Sequence, residues 1–76
     1  MKFNIVNFIR SKEEVEVVPA NWLFSQNGKL YTYWPKYPDI ESIRTAAKGG
    51  DPPNTRNWAK YGVRVLHEFG KTMAFE

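Results

Sequence analysis

The chain has no cysteine. Disulfides, thiol nucleophiles and thiolate metal sites are therefore excluded, and with them the usual cross-links of small secreted domains. An intracellular compartment is the expectation. Histidine occurs once, at His67. A metal site would have to be built almost wholly from oxygen ligands, and no Asp-rich loop of calcium-binding spacing is present. Neither a metal nor a cofactor is expected. Apolar runs are short, well below the roughly 18 residues that a membrane helix needs, and no signal-peptide or lipidation pattern occurs. No membrane association is expected.

One-sided blocks of charge are missing too. Eleven Lys and Arg stand against eight Asp and Glu, for a net charge of +3 and a pI near 9.3. Residues 1–38 carry five basic and three acidic groups and residues 39–76 carry six and five. Neither half is a basic arm, so a nucleic-acid face would have to be gathered by folding.

Catalysis lacks its raw material. Acid, base and nucleophile must converge, and His67 and Glu68 are strand neighbours that point to opposite faces. The chain is not expected to be an enzyme. Gly49-Gly50 lacks the Lys-Ser/Thr and the following helix of a phosphate-binding loop, and reads as a helix stop followed by a linker.

What the sequence does hold is aromatic residues: 3 Trp, 5 Phe and 4 Tyr in 76 residues. A chain of this length forms one domain and buries only about 60% of its unfolded surface, so these rings must supply much of the core. Residues 1–71 are read as that single β-rich domain. Thr72 has the character of an N-cap before Met73, so residues 72–76 are read as the start of a truncated helix.

Phe3 to Ile9, rich in β-branched and aromatic residues, predicts a first strand with Phe3, Ile5 and Ile9 on one side and Val6 and Phe8 on the other. Ser11-Lys12-Glu13 turns the chain into Glu14 to Val18, where alternation places Val15 and Val17 inward and the glutamates outward. Pro19 ends or bulges that strand. Asn27-Gly28 supplies the positive φ angles of a type I′ turn between strands at Trp22–Gln26 and Lys29–Trp34.

Pro35 and Pro38 end the fourth strand. Asp39 is placed to cap a helix from Ile40 to Lys48, with Ile40, Ile43 and Ala47 as its apolar stripe and Gly49 as its stop. After the loop Gly49 to Asn54, a last strand alternates Tyr61, Val63, Val65, His67 and Phe69 with Gly62, Arg64, Leu66 and Glu68. The order ββββαβ predicts an α+β fold: a strongly bent antiparallel sheet of about five strands with one short helix, approaching a small SH3-like or Tudor-like barrel.

Two constellations are candidates for binding. In Tyr31-Thr32-Tyr33-Trp34-Pro35-Lys36-Tyr37-Pro38, Tyr31 and Tyr33 share one face, and a groove of Tyr33, Pro35 and Tyr37 would take a protein partner. The same rings would serve equally as core. Arg56, Trp58, Lys60, Tyr61 and Arg64 interleave cations with rings, with no acid between Asp51 and Glu68. Arg56, Lys60 and Arg64 would grip phosphates while Trp58 stacks a base. The competing account has a solvated strand face, Trp58 packed over the helix and Arg64 paired with Glu68, Glu14 or Glu16. An unpaired edge at Phe3 to Ile9 would allow a homodimer.

Three motifs carry a resemblance. Val15-Glu16-Val17-Val18-Pro19-Ala20-Asn21-Trp22-Leu23, Tyr33-Trp34-Pro35-Lys36-Tyr37 and Trp58-Ala59-Lys60-Tyr61-Gly62-Val63-Arg64-Val65-Leu66 together resemble the short amino-terminal module of uncharacterised insect and other animal proteins, many of them transposon-associated. That module's pattern runs V-E-V-V-P-x-x-W-L, W-P-P-Y, W-x-x-Y-x-V-R-V-L, and Lys36 stands where it has its second proline. The resemblance implies a nuclear setting, a binding role and further sequence after the module. Val18 to Leu23 is also similar to the closing V-P-S-N-Y-V of SH3 domains, and Tyr33-Trp34-Pro35 to the W-W-P of PWWP domains, an analogy of fold class only. Together these features predict a non-catalytic module of a larger nuclear protein that recognises a protein or associates with itself, with DNA binding as the alternative.

Overall fold

The first hairpin is fixed by one asparagine. Asn7 is buried, and its Nδ2 donates to the carbonyls of Lys12 at 2.7 Å and Glu14 at 3.1 Å. Those bonds hold the connection between β1 (Lys2–Phe8) and β2 (Val15–Pro19). The protein is described here by a computed structural model covering residues 2–70. The helical start expected at Thr72 lies outside the described residues.

The chain leaves β2 through a single 3₁₀ turn, Ala20–Trp22, into β3 (Leu23–Gln26), and returns as β4 (Lys29–Trp34). Asn27 and Gly28 both have positive φ, 54° and 77°, and Gln26 pairs with Lys29, the two-residue I′ geometry that the Asn-Gly pair predicts. Helix α1 (Ile40–Gly49) and strand β5 (Ala59–Gly70) complete the order ββββαβ.

All four strand pairs are antiparallel, in the order β2-β1-β5-β4-β3. The last strand in sequence thus lies at the centre. Its first part pairs Ala59 to Gly62 with β4, and its remainder pairs Val63 to Gly70 with β1. The sheet is open, with β2 and β3 as its edges, so the strands do not close into the barrel anticipated from their number. β1 is paired on both sides, which removes the edge expected at Phe3 to Ile9.

Register decides which residues are core, because directly opposed residues share a face. Val6 lies opposite Val65 and Phe8 opposite Val63, and this face packs on Val18, Trp22, Trp58 and the helix residues Ile43, Ala46 and Ala47. Two expectations about faces are corrected. In β2, Val18 and Glu16 lie on the helix side, opposite Asn4 and Val6, while Val15 and Val17 take the other side. In β5, the pairing slips at Leu66, with Ile5 opposite His67 but Val6 opposite Val65. This β-bulge turns His67 and Phe69 onto the face opposite to Val63 and Val65.

Asp39 caps the helix by accepting from the Ser42 amide at 3.1 Å, and hydrogen bonding from the Ser42 hydroxyl first and its amide second holds the carboxyl below the ordinary value of 3.8. Gly50, at φ 67°, forms the left-handed C-cap in place of the expected Gly49. Ile43, Ala46 and Ala47 form the buried stripe, whereas Ile40 is 41% exposed.

Replacing Ile43 by Asp puts an unpaired charge in the core and is expected to abolish the cooperative thermal transition. A melting curve unchanged from wild type would contradict the stripe. For the cap, Asp39→Ala is expected to lower the melting temperature at pH 7 and Asp39→Asn to retain most of it. Because the folded carboxyl titrates below its unfolded value, its charge stabilises above pH 3.8 and that contribution is lost as pH falls through the folded value. Melting at pH 7 and pH 3 checks this: the gap between wild type and Asp39→Asn should narrow at the lower pH.

Candidate functional site

The groove imagined from Tyr33, Pro35 and Tyr37 is not assembled. Pro35 is buried. Tyr33 stacks on Phe24, with centroids 4.5 Å apart, and also touches the core cluster. Tyr37, 41% exposed, meets Trp58 edge-on at 6.0 Å. The three residues therefore have different neighbours and do not line one surface.

The second constellation is also divided. Trp58 is only 9% exposed and packs edge-on against Trp22 at 5.0 Å, so its ring belongs to the core. Arg56 sits in the loop before β5, its amide donating to Asn54 Oδ1 at 3.1 Å. Lys60 and Arg64 are exposed and lie on the sheet face opposite the core, Lys60 facing Tyr33 and Arg64 facing Asn7. The ion pairs anticipated for Arg64 are made by other residues. Glu16 binds Arg44 at 3.1 Å, which raises the guanidinium's affinity for its proton, and Glu68 lies 3.9 Å from Lys2.

On that outer face the register places a row of rings beside the two cations. Phe24 lies opposite Tyr31, and the rings stack at 5.4 Å and 20°. Tyr33 continues the row on the other side of Phe24. All three are half-buried, with Tyr31 opposite Gly62 and Tyr33 opposite Lys60. Lys29 has the same strand parity as Tyr31 and Tyr33, so it joins Lys60 and Arg64 on this face. Among the described residues, the carboxylates within the strands are Glu16 and Glu68, and both lie on the helix side by the same register.

A cleft of about 500 Å³ opens at the end of the ring row, where β5 exchanges β4 for β1. It is lined by Ile9, Arg10, Lys29, Leu30, Tyr31, Tyr61 and Gly62. The Arg10 guanidinium lies 4.4 Å from the centre of the Tyr61 ring, a cation–π contact that orients it. Sequence reasoning places Tyr31 and Tyr33 on one face and includes Lys60 and Arg64 as candidates. It misses Phe24, Lys29 and the cleft. Phe24 is legible in retrospect, since a two-residue turn at Asn27-Gly28 forces the 24–31 pairing; the cleft depends on long-range pairing and leaves no local signal.

The arrangement offers aromatic faces, cations and donors. It brings together no acid, base and nucleophile, and among the described residues no three His, Asp or Glu side chains are grouped to hold a metal ion. Compared with known proteins, the chain matches no family, no curated protein and no solved structure.

Proposed function

We propose that this chain is a non-catalytic binding module that holds single-stranded nucleic acid on the sheet face opposite its core. The observation that carries this reading is the sorting of charge by register. Lys29, Lys60 and Arg64 share a face with the Phe24-Tyr31-Tyr33 row, while both strand carboxylates lie on the other side. Stacked rings flanked by cations suit a strand whose bases are unpaired: each base brings a π-face and each phosphate a charge. A duplex hides its base faces and would meet only the cations. The resemblance to transposon-associated proteins adds a nuclear setting to the proposal, as part of a larger protein.

Self-association is a second reading, favoured by β3. This open edge, Leu23–Gln26, contains no charged residue and no proline. A mass from light scattering that stays monomeric at high protein concentration would remove it.

The nucleic-acid reading predicts an eight-nucleotide oligothymidylate affinity that falls with salt, with a log–log slope of about −2 for three phosphate contacts. Lys60→Glu should flatten the slope and weaken binding. Phe24→Ala removes a ring that lies outside the core cluster and should weaken binding about ten-fold. Fluorescence anisotropy at several salt concentrations measures both. Absence of binding at low salt, or affinity indifferent to these two substitutions, would refute the proposal.

A further inference from the structure

Gly62 lies inside β5, where a glycine weakens the strand and calls for a reason. Backbone conformation is not that reason, since the positive φ angles among the described residues belong to Asn27, Gly28 and Gly50. Crowding is not the reason either. A Cβ built on Gly62 would meet only Ile9 Cδ1, at 3.7 Å, an ordinary contact. The fold has room for a side chain here and does without one. What the missing side chain leaves open is the floor of the cleft between Ile9, Leu30, Tyr31 and Tyr61.

We infer that this cleft is a pocket for one nucleotide of the bound strand, its base lodged among these apolar and aromatic walls over Gly62 and its phosphate met by Lys29 and Arg10. The inference rests on the nucleic-acid reading and adds to it a discrete subsite. Its volume, about 500 Å³, falls within the range of small-molecule sites, roughly 300–1,000 Å³. The lining contains two cations and no carboxylate, which fits a ligand with an apolar flat body and an anionic end. Arg10 is already set against Tyr61, so little side-chain freedom remains to be lost on binding. Tyr31 belongs both to the ring row and to the cleft wall. A strand lying along the row therefore reaches the pocket without leaving the surface.

The test uses the whole 76-residue chain and a fluorescein-labelled octathymidylate at low salt. Gly62→Ala adds a Cβ the fold can hold and should change affinity less than about two-fold. Gly62→Val raises the cleft floor with a good strand former, and should weaken binding about ten-fold, the scale of one lost base contact, without lowering the melting temperature. If Gly62→Val binds like wild type while Phe24→Ala and Lys60→Glu are weakened, the pocket is refuted and the nucleic-acid reading stands. If the wild type does not bind, both fall. Should Gly62→Val fail to fold, amide shifts of the wild type decide. Movement of Ile9 and Gly62 on adding the oligonucleotide supports the pocket, and shifts confined to Phe24, Tyr33 and Lys60 overturn it.

Discussion

The two hairpins of this protein are joined in the sheet only through β5. β1 and β2 lie on one flank, β4 and β3 on the other, and the central strand serves them in succession, Ala59 to Gly62 against β4 and Val63 to Gly70 against β1. Everything else follows from that division of one strand. It sets which residues of β1 and β4 share a face, it leaves β2 and β3 as open edges, and it puts the change of partner at Gly62, which pairs with Tyr31 and whose carbonyl accepts from the Ile9 amide at 3.0 Å. It also orders the energetics of folding. The hairpins close short loops, while β1 with β5 brings together residues as distant as Lys2 and Gly70, and the larger loop entropy must be met before those contacts return anything.

What ties the sheet to the end of the helix is a cluster of tryptophans. Trp22 is fully buried and meets Trp34 and Trp58 edge-on, at 6.2 and 5.0 Å. Burying an indole also means burying an N–H, which is costly without a partner. Here Nε1 donates to the Asp51 carbonyl at 2.8 Å, and the neighbouring Asn21 reaches the Gly50 carbonyl at 3.2 Å. The 3₁₀ turn is thereby tied to the end of the helix. With small Ala46 and Ala47 beside Ile43 on the buried helix face, the helix can approach a core made mostly of rings. That is how a chain with few aliphatic residues to spare fills its interior.

Local chemistry was readable and long-range pairing was not. The Asn-Gly turn, the Asp39 cap and the element order could be read from the sequence because each depends on neighbours in the chain. The bulge at Leu66 could not, since Tyr61 to Phe69 alternates without interruption and only the slip against β1 shows that His67 and Phe69 change sides. β2 misled for a related reason. Glu14-Val15-Glu16-Val17 alternates cleanly, yet the buried position is Val18, and its burial carries Glu16 to the helix side, where Arg44 meets it at 3.1 Å. Trp58 has basic residues two positions away on either side, yet its ring packs edge-on against Trp22, and a large ring is worth more inside than out. Of the candidate site, the tyrosine pair and two cations were visible, and the glycine that gives the surface its depth was not.

A net charge of +3 understates what the sheet does with its ionic groups. Averaged over the chain the excess is small, and in sequence the charges are mixed. Pairing then separates them. Glu16 and Glu68 fall on the helix side, where Arg44 and Lys2 answer them. Lys29, Lys60 and Arg64 fall on the other side, among rings and away from any strand carboxylate. The separation needs no basic block in the sequence, only an even or odd position in each strand, because a one-residue change of parity would move every one of these charges to the opposite face. Register therefore sets the electrostatic character of each face, and composition alone gives no access to it.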